Sequence, residues 1–306
     1  MPELALPFFA RSAWARRLLV PLIFLVALVL FLFRTFPYDA LSERISAEAR
    51  AAGYEISIGE LGHAGVLGIS GREVRLKSLS TDANSTPTEY KLDALALKPE
   101  LLGLLLRKPA VGFNVEAYGG NAHGVARLSN DPKAPGLASL QVTADSIDLK
   151  QLPPALVAGV EVLGLLGVQA DLSSLQALES SSGTVAFSLK GAALVKGNAM
   201  GIPLPKTMLG DLTGSLTIDK GVGKLEKVQL RGGDLDAEVE GTIRMKPLLS
   251  LSQADLKVHL KPKDSWLEQN PLVKGSMGFL GPKAPDGGYS FTLSGPLSHL
   301  TPRPGR

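Results

Sequence analysis

The sequence predicts a mainly β chain held to a membrane by one N-terminal transmembrane helix. Three observations carry this reading. Apolar and polar residues alternate in short, regularly spaced segments over most of residues 54–293. Turn residues fall between those segments, drawn from 33 Gly and 21 Pro. Residues 18–33 read LLVPLIFLVALVLFLF, sixteen residues without a charge. The expected architecture is a twisted, largely antiparallel sheet, curled into an incomplete barrel or groove, with a few short helices.

The apolar run comes first. Fourteen of its sixteen residues are Leu, Ile, Val or Phe, which favours bilayer insertion by roughly 4–8 kcal/mol before Pro21 is discounted. At ~1.5 Å per residue the run spans about 24 Å, and interfacial flanks make up the rest of a ~30 Å hydrocarbon layer. Trp14 and Tyr38 are placed as interfacial aromatics, and Arg16, Arg17 and Arg34 can snorkel outward. Leu18, Leu22, Leu25, Leu28, Phe31 and Phe33 mark the anchor. Cleavage by a signal peptidase needs a small-x-small site, and Phe36, Pro37 and Tyr38 stand there instead. The expectation is therefore an uncleaved signal anchor with a cytoplasmic N-terminus; in a two-membrane bacterium it would cross the inner membrane and leave the main domain in the periplasm. The division follows: 1–17 a short cytoplasmic segment, 18–36 the anchor, 37–52 a juxtamembrane amphipathic helix, 53–295 the β-rich domain, 296–306 a flexible tail.

Charge divides along the same line. Residues 1–38 hold four Arg against one Glu; without them the chain's 32 basic and 29 acidic residues become 28 of each. The basic excess belongs to the anchor, and no basic cluster interleaves with aromatics, so nucleic acid is not an expected partner. The absence of Cys excludes disulfides and thiolate chemistry.

Further along, Leu41, Ile45 and Ala49 recur at helical spacing until Gly53. Tyr54, Ile56 and Ile58 then share a strand face, and Val74 and Leu76 another. Residues 80–88 are a polar loop. YKLDALALKP reads as a strand, and residues 100–107 as a short helix led by Pro99. Val111, Phe113 and Val115 alternate up to a Gly119-Gly120 turn, and residues 140–149 form another strand. Residues 151–168, QLPPALVAGVEVLGLLGV, read as a buried or interfacial helix, either closing one end of the sheet or acting as a hydrophobic lid or second membrane contact. Short strands resume around Val185, Leu216 and Val228. The clearest covers residues 234–245: Leu235, Ala237, Val239, Gly241, Ile243 and Met245 form its dry face and the candidate apolar groove, while Asp234, Asp236, Glu238 and Glu240 lie on the wet one.

Chemistry is sparse at this level. His63, His123, His259 and His299 are scattered, none with a second His at metal spacing. The acidic stripe reads as a solvated strand face, no Ser sits in a G-x-S-x-G elbow, and no phosphate-binding loop is present. The chain is expected to be neither an enzyme nor a holder of a metal or cofactor.

Three stretches carry a family resemblance: the anchor followed by FPYDALSERISAEARAAGYEISI; LALKPELLGLLLRKPAVGFNVEAYGGNAHG; and Gly-led strands such as GSLTIDKG and GTIRMK. Together they resemble the N component of type II secretion systems (GspN-type), in its anchored long form, and the wider group of AsmA-like anchored periplasmic proteins. The resemblance implies a non-catalytic inner-membrane accessory subunit supporting export of folded proteins through a secretin. Its partners would be inner-membrane lipid and other secretion components, met through sheet edges or the polar face. The alternative is a lipid-binding or lipid-transfer protein that takes an acyl-chain ligand in its apolar groove.

Overall fold

The computed structural model describes residues 38–51, 54–65, 68–78, 89–100, 103, 106, 108–131, 136–153, 161–199, 202–246 and 251–304. The anchor expected at 18–36 and its six marker residues lie outside them, as do residues 80–88 and most of 100–107. No helix among the described residues is long and apolar enough to cross a membrane.

One antiparallel sheet dominates. Helix α1 (Tyr38–Ala51) leads into β1 (Tyr54–Ala64), β2 (Gly68–Ser78), β3 (Glu89–Pro99), β4 (Ala110–Ala117), β5 (Gly120–Leu128), β6 (Leu137–Asp148) and β7 (Glu161–Ser173). There follow β8 (Ser182–Ala199), the short β9 (Ile202–Leu204), β10 (Thr207–Asp219), β11 (Val222–Gly232), β12 (Leu235–Arg244) and β13 (Gln253–Pro262). Helices α2 (Asp264–Gln269) and α3 (Pro271–Ser276) precede β14 (Tyr289–Pro296) and β15 (Thr301–Pro304). Apart from β9, which pairs only with β8, the strands lie side by side in chain order. Strands β1 and β15 each have a single neighbour, so the sheet is open and not a closed barrel.

Local chemistry explains the meander. In the β4–β5 hairpin Ala117 pairs with Gly120 across Tyr118-Gly119, and in the β10–β11 hairpin Asp219 pairs with Val222 across Lys220-Gly221. Both loop residues have positive φ in each case, the backbone of a type I′ turn, whose twist matches the strands it joins. Register shifts interrupt six of the strand pairings; at Lys227 and Ser146 the extra residue itself has positive φ. Such bulges increase local twist.

Register also sets the faces. A single ladder row runs Ile69, Leu97, Phe113, Gly124, Val142, Ala170 and Val185 across β2 to β8. It continues through Leu216, Leu225, Gly241, Leu256, Leu293 and Pro302 to β15. A parallel row passes through Val111, Ala126, Leu140, Leu172, Ile218, Ile243 and Ala254. Every central strand thus gives its apolar side to the same face. Among the described residues one buried cluster packs at a corner of it, where Trp266, Leu267, Val273 and Met277 of α2–α3 and the turn after them meet Leu260, Leu280 and Tyr289. Away from that corner most apolar-row side chains, Phe113, Val142, Phe187 and Leu216 among them, are only half-buried.

Two expectations need correction. Residues 161–168, read as part of a helix, are the first half of β7 and pair with both β6 and β8. A short apolar run carries no period that separates a strand from a helix, and here a ladder on each side decides it. The tail read as loose at 296–306 contributes β15, hydrogen-bonded along β14.

Candidate functional site

The residues expected to line an apolar groove lie on one face of β12. Leu235, Ala237, Val239, Gly241 and Ile243 pair in register with Pro262, Leu260, Val258, Leu256 and Ala254 of β13. All five are half-buried, and Met245, just past the strand, is buried. Gly241 does not supply empty room, as its size suggests. Its φ is +148°, and a Cβ there would stand 2.2 Å from the Asp255 carbonyl oxygen. Two other glycines on this face are covered by rings: a Cβ on Gly124 would meet Phe113, and one on Gly214 would meet Phe187. Such aromatic cover compensates for glycine in a strand.

The opposite face is polar and charge-paired. Arg231 bridges Asp236 at 3.7 Å and Glu238 more closely, Lys257 lies 3.9 Å from Glu240, and the Asp234 carboxylate accepts the Met208 N–H at 2.7 Å. The acidic stripe on β12 is therefore matched by cations and a backbone donor. The two described concavities both open on this polar side. One, of about 1440 Å³, lies over β11–β15 and includes Gln229, Glu238, Lys257, His259, Thr292 and Arg303. The other, of about 550 Å³, lies over β5–β8 and includes His123, Gln141, Thr143 and Asp171.

At the first concavity the fold assembles what sequence spacing could not reveal. His259 on β13 is directly opposite Ser290 on β14. The Ser290 hydroxyl and His259 Nδ1 are 2.9 Å apart. On the other side of the ring, His259 Nε2 is 2.8 Å from Asp286 Oδ2. The Asp286 carboxyl is held below its ordinary value by the Gly288 N–H, which donates to its Oδ1 at 3.1 Å, and by the His259 bond. An ionised Asp286 fixes the ring proton on Nε2 and leaves Nδ1 free to accept from Ser290. Gly288 is shaped to the ring: a Cβ there would lie 2.6 Å from His259 Cε1 and Nε2. The three residues are 4 and 27 positions apart along the chain, at no recognised motif spacing; only the β13–β14 register predicts their meeting.

Compared with known proteins, the chain matches no family model, no curated protein and no solved structure.

Proposed function

We propose that the chain is an inner-membrane-anchored β-sheet protein whose main domain lies in the periplasm and whose apolar face, curled into an incomplete groove, holds acyl chains. The single observation behind this is the apolar row that crosses the sheet from β2 to β15, with helices among the described residues packed only at its two ends, α1 beside β1 and α2–α3 at the far corner. A contiguous exposed apolar surface beyond a few hundred Å² marks a binding or membrane-facing site. Acyl chains suit it chemically: the rows offer methyl, methylene and phenyl groups, and charge is confined to the other face. Nothing in this role needs a cofactor or nucleic acid.

The test uses the full-length chain purified in a mild detergent with a photoactivatable fatty acid. Crosslinks mapped to Phe113, Val142, Val185 or Leu216 support the reading. Crosslinks confined to the polar face, or none above a free-acid control, overturn it.

The secretion-subunit reading rests on the resembling stretches, of which FPYDALSERISAEARAAGYEISI coincides with the α1-to-β1 passage. In that reading the chain meets other inner-membrane or secretin subunits through its polar face. Co-purification of the full chain with those subunits, lost on reversing charges at Arg231 and Lys257, is its test.

A further inference from the structure

We infer that Ser290, His259 and Asp286 form a nucleophile, base and orienting acid able to cleave a carboxylic ester presented in the polar concavity over β11–β15. The inference rests on the β13–β14 geometry alone and is independent of the acyl-chain reading, which concerns the opposite face. Both contacts of the relay are of hydrogen-bond length, 2.9 Å from nucleophile to base and 2.8 Å from base to carboxylate. A nucleophile touching a base that is oriented by a third group is the signature of an activated hydroxyl. Ser290 and His259 both line the concavity, and the His259 side chain is 33% exposed, so an ester can reach them.

The same strands fix the direction of the backbone N–H groups around Ser290. The Lys263 N–H donates to the Asp234 carbonyl. By antiparallel alternation, odd-numbered residues of β13 then bond toward β12, and even-numbered ones toward β14. Leu260 pairs with Tyr289, so the odd residues of β14 bond back to β13 and the even residues point their N–H toward β15. Pro302 and Pro304, which have no N–H, occupy the non-bonded positions of β15 as this pattern requires. Ser290 is even-numbered, so its N–H points in the plane of the sheet toward the β15 side, while its hydroxyl faces His259 across the polar face.

The chemistry balances without an added co-reactant other than water. Ser290 Oγ attacks the ester carbonyl carbon while its proton passes to His259 Nδ1. That proton goes to the departing alkoxide as the C–O bond breaks, leaving an acyl-serine and an alcohol. Water, giving a proton to His259, then attacks the acyl-serine, releases a carboxylic acid and restores the Ser290 hydroxyl.

The experiment treats the full-length chain with a fluorophosphonate, which loses fluoride as Oγ bonds to phosphorus, and maps the adduct by peptide mass spectrometry. Ser294 is the internal control, since it lies on the same face of β14 but pairs with Asp255 instead of a histidine. The expected result is labelling at Ser290 at least about tenfold faster than at Ser294, and reduced at least about tenfold in His259→Gln and in Asp286→Asn. Thermal melts of each variant establish that it is folded. Equal labelling of the two serines, or a Ser290 rate unchanged in folded His259→Gln, overturns the inference and leaves the three residues as a tie between the 281–288 loop and the sheet.

Discussion

Val258 on β13 is 8% exposed and pairs with half-buried Val239 on β12. Placing a carboxylate at either position puts charge on the apolar face, but burial sets the cost. Val258→Asp should destabilise by about 2–3 kcal/mol, Val239→Asp by less, and Glu240→Gln by under about 0.5 kcal/mol. Urea midpoints check the ranking, and an inverted order would mean that the strands are read one residue out of register. Asp286 gives a prediction in pH. Its folded pKa lies below its unfolded value. Its contribution is therefore complete above the unfolded carboxylate pKa, about 3.9, and disappears as pH falls through the folded value. Melts of wild type and Asp286→Asn should differ at about pH 5 and converge as pH falls through the lowered folded value; a gap that does not shrink with acid would mean the pairing does not involve an ionised carboxylate. These two regions differ in how far the sequence disclosed them. Val239 and Glu240 were legible because alternation over residues 234–245 is unbroken. The His259 site was not, because its partners come from a neighbouring strand and a loop whose register no local pattern encodes.

Among the elements, β15 shows why composition misleads at a sheet edge. A segment with Pro302 and Pro304 reads as loose, yet proline is compatible with an edge strand when its missing N–H faces outward. Both prolines occupy such positions, so the outer side of β15 offers no donor at either place and resists strand addition. Replacing both with Thr restores two outward donors. The double variant should show more concentration-dependent self-association than wild type by sedimentation velocity; equal behaviour would show that the prolines do not guard this edge. At the other edge α1 packs against β1, and the Ser46 hydroxyl lies 3.5 Å from the Ile56 carbonyl. The α1–β1 passage was read correctly from a helical period that changes at Gly53 to a period of two. Residues 161–168 were misread for the opposite reason: an apolar strand paired on both sides has no period to show.

At the scale of the whole molecule, each strand of the long path hydrogen-bonds only to the strands beside it, and no layer of helices ties distant strands together among the described residues. That connectivity is quasi-one-dimensional, like a repeat array, so stability is approximately a sum of nearest-neighbour terms. The alternating pattern announced the meander, and the incomplete closure expected of it agrees with first and last strands that do not pair. A closed barrel or packed sandwich would unfold as one cooperative unit; an open meander loosens locally, from its ends and from any weakened pairing. Native-state hydrogen exchange distinguishes the two. Amides of β1 and β15 should exchange fastest and those of β6 to β8 and β10 slowest. Val115→Asp on β4 should accelerate exchange in β3 to β5 while β11 to β13, six or more strands along the path, keep their wild-type protection. Uniform acceleration across all strands would show that a common core binds the two halves, and would count against the open apolar face that the acyl-chain proposal uses.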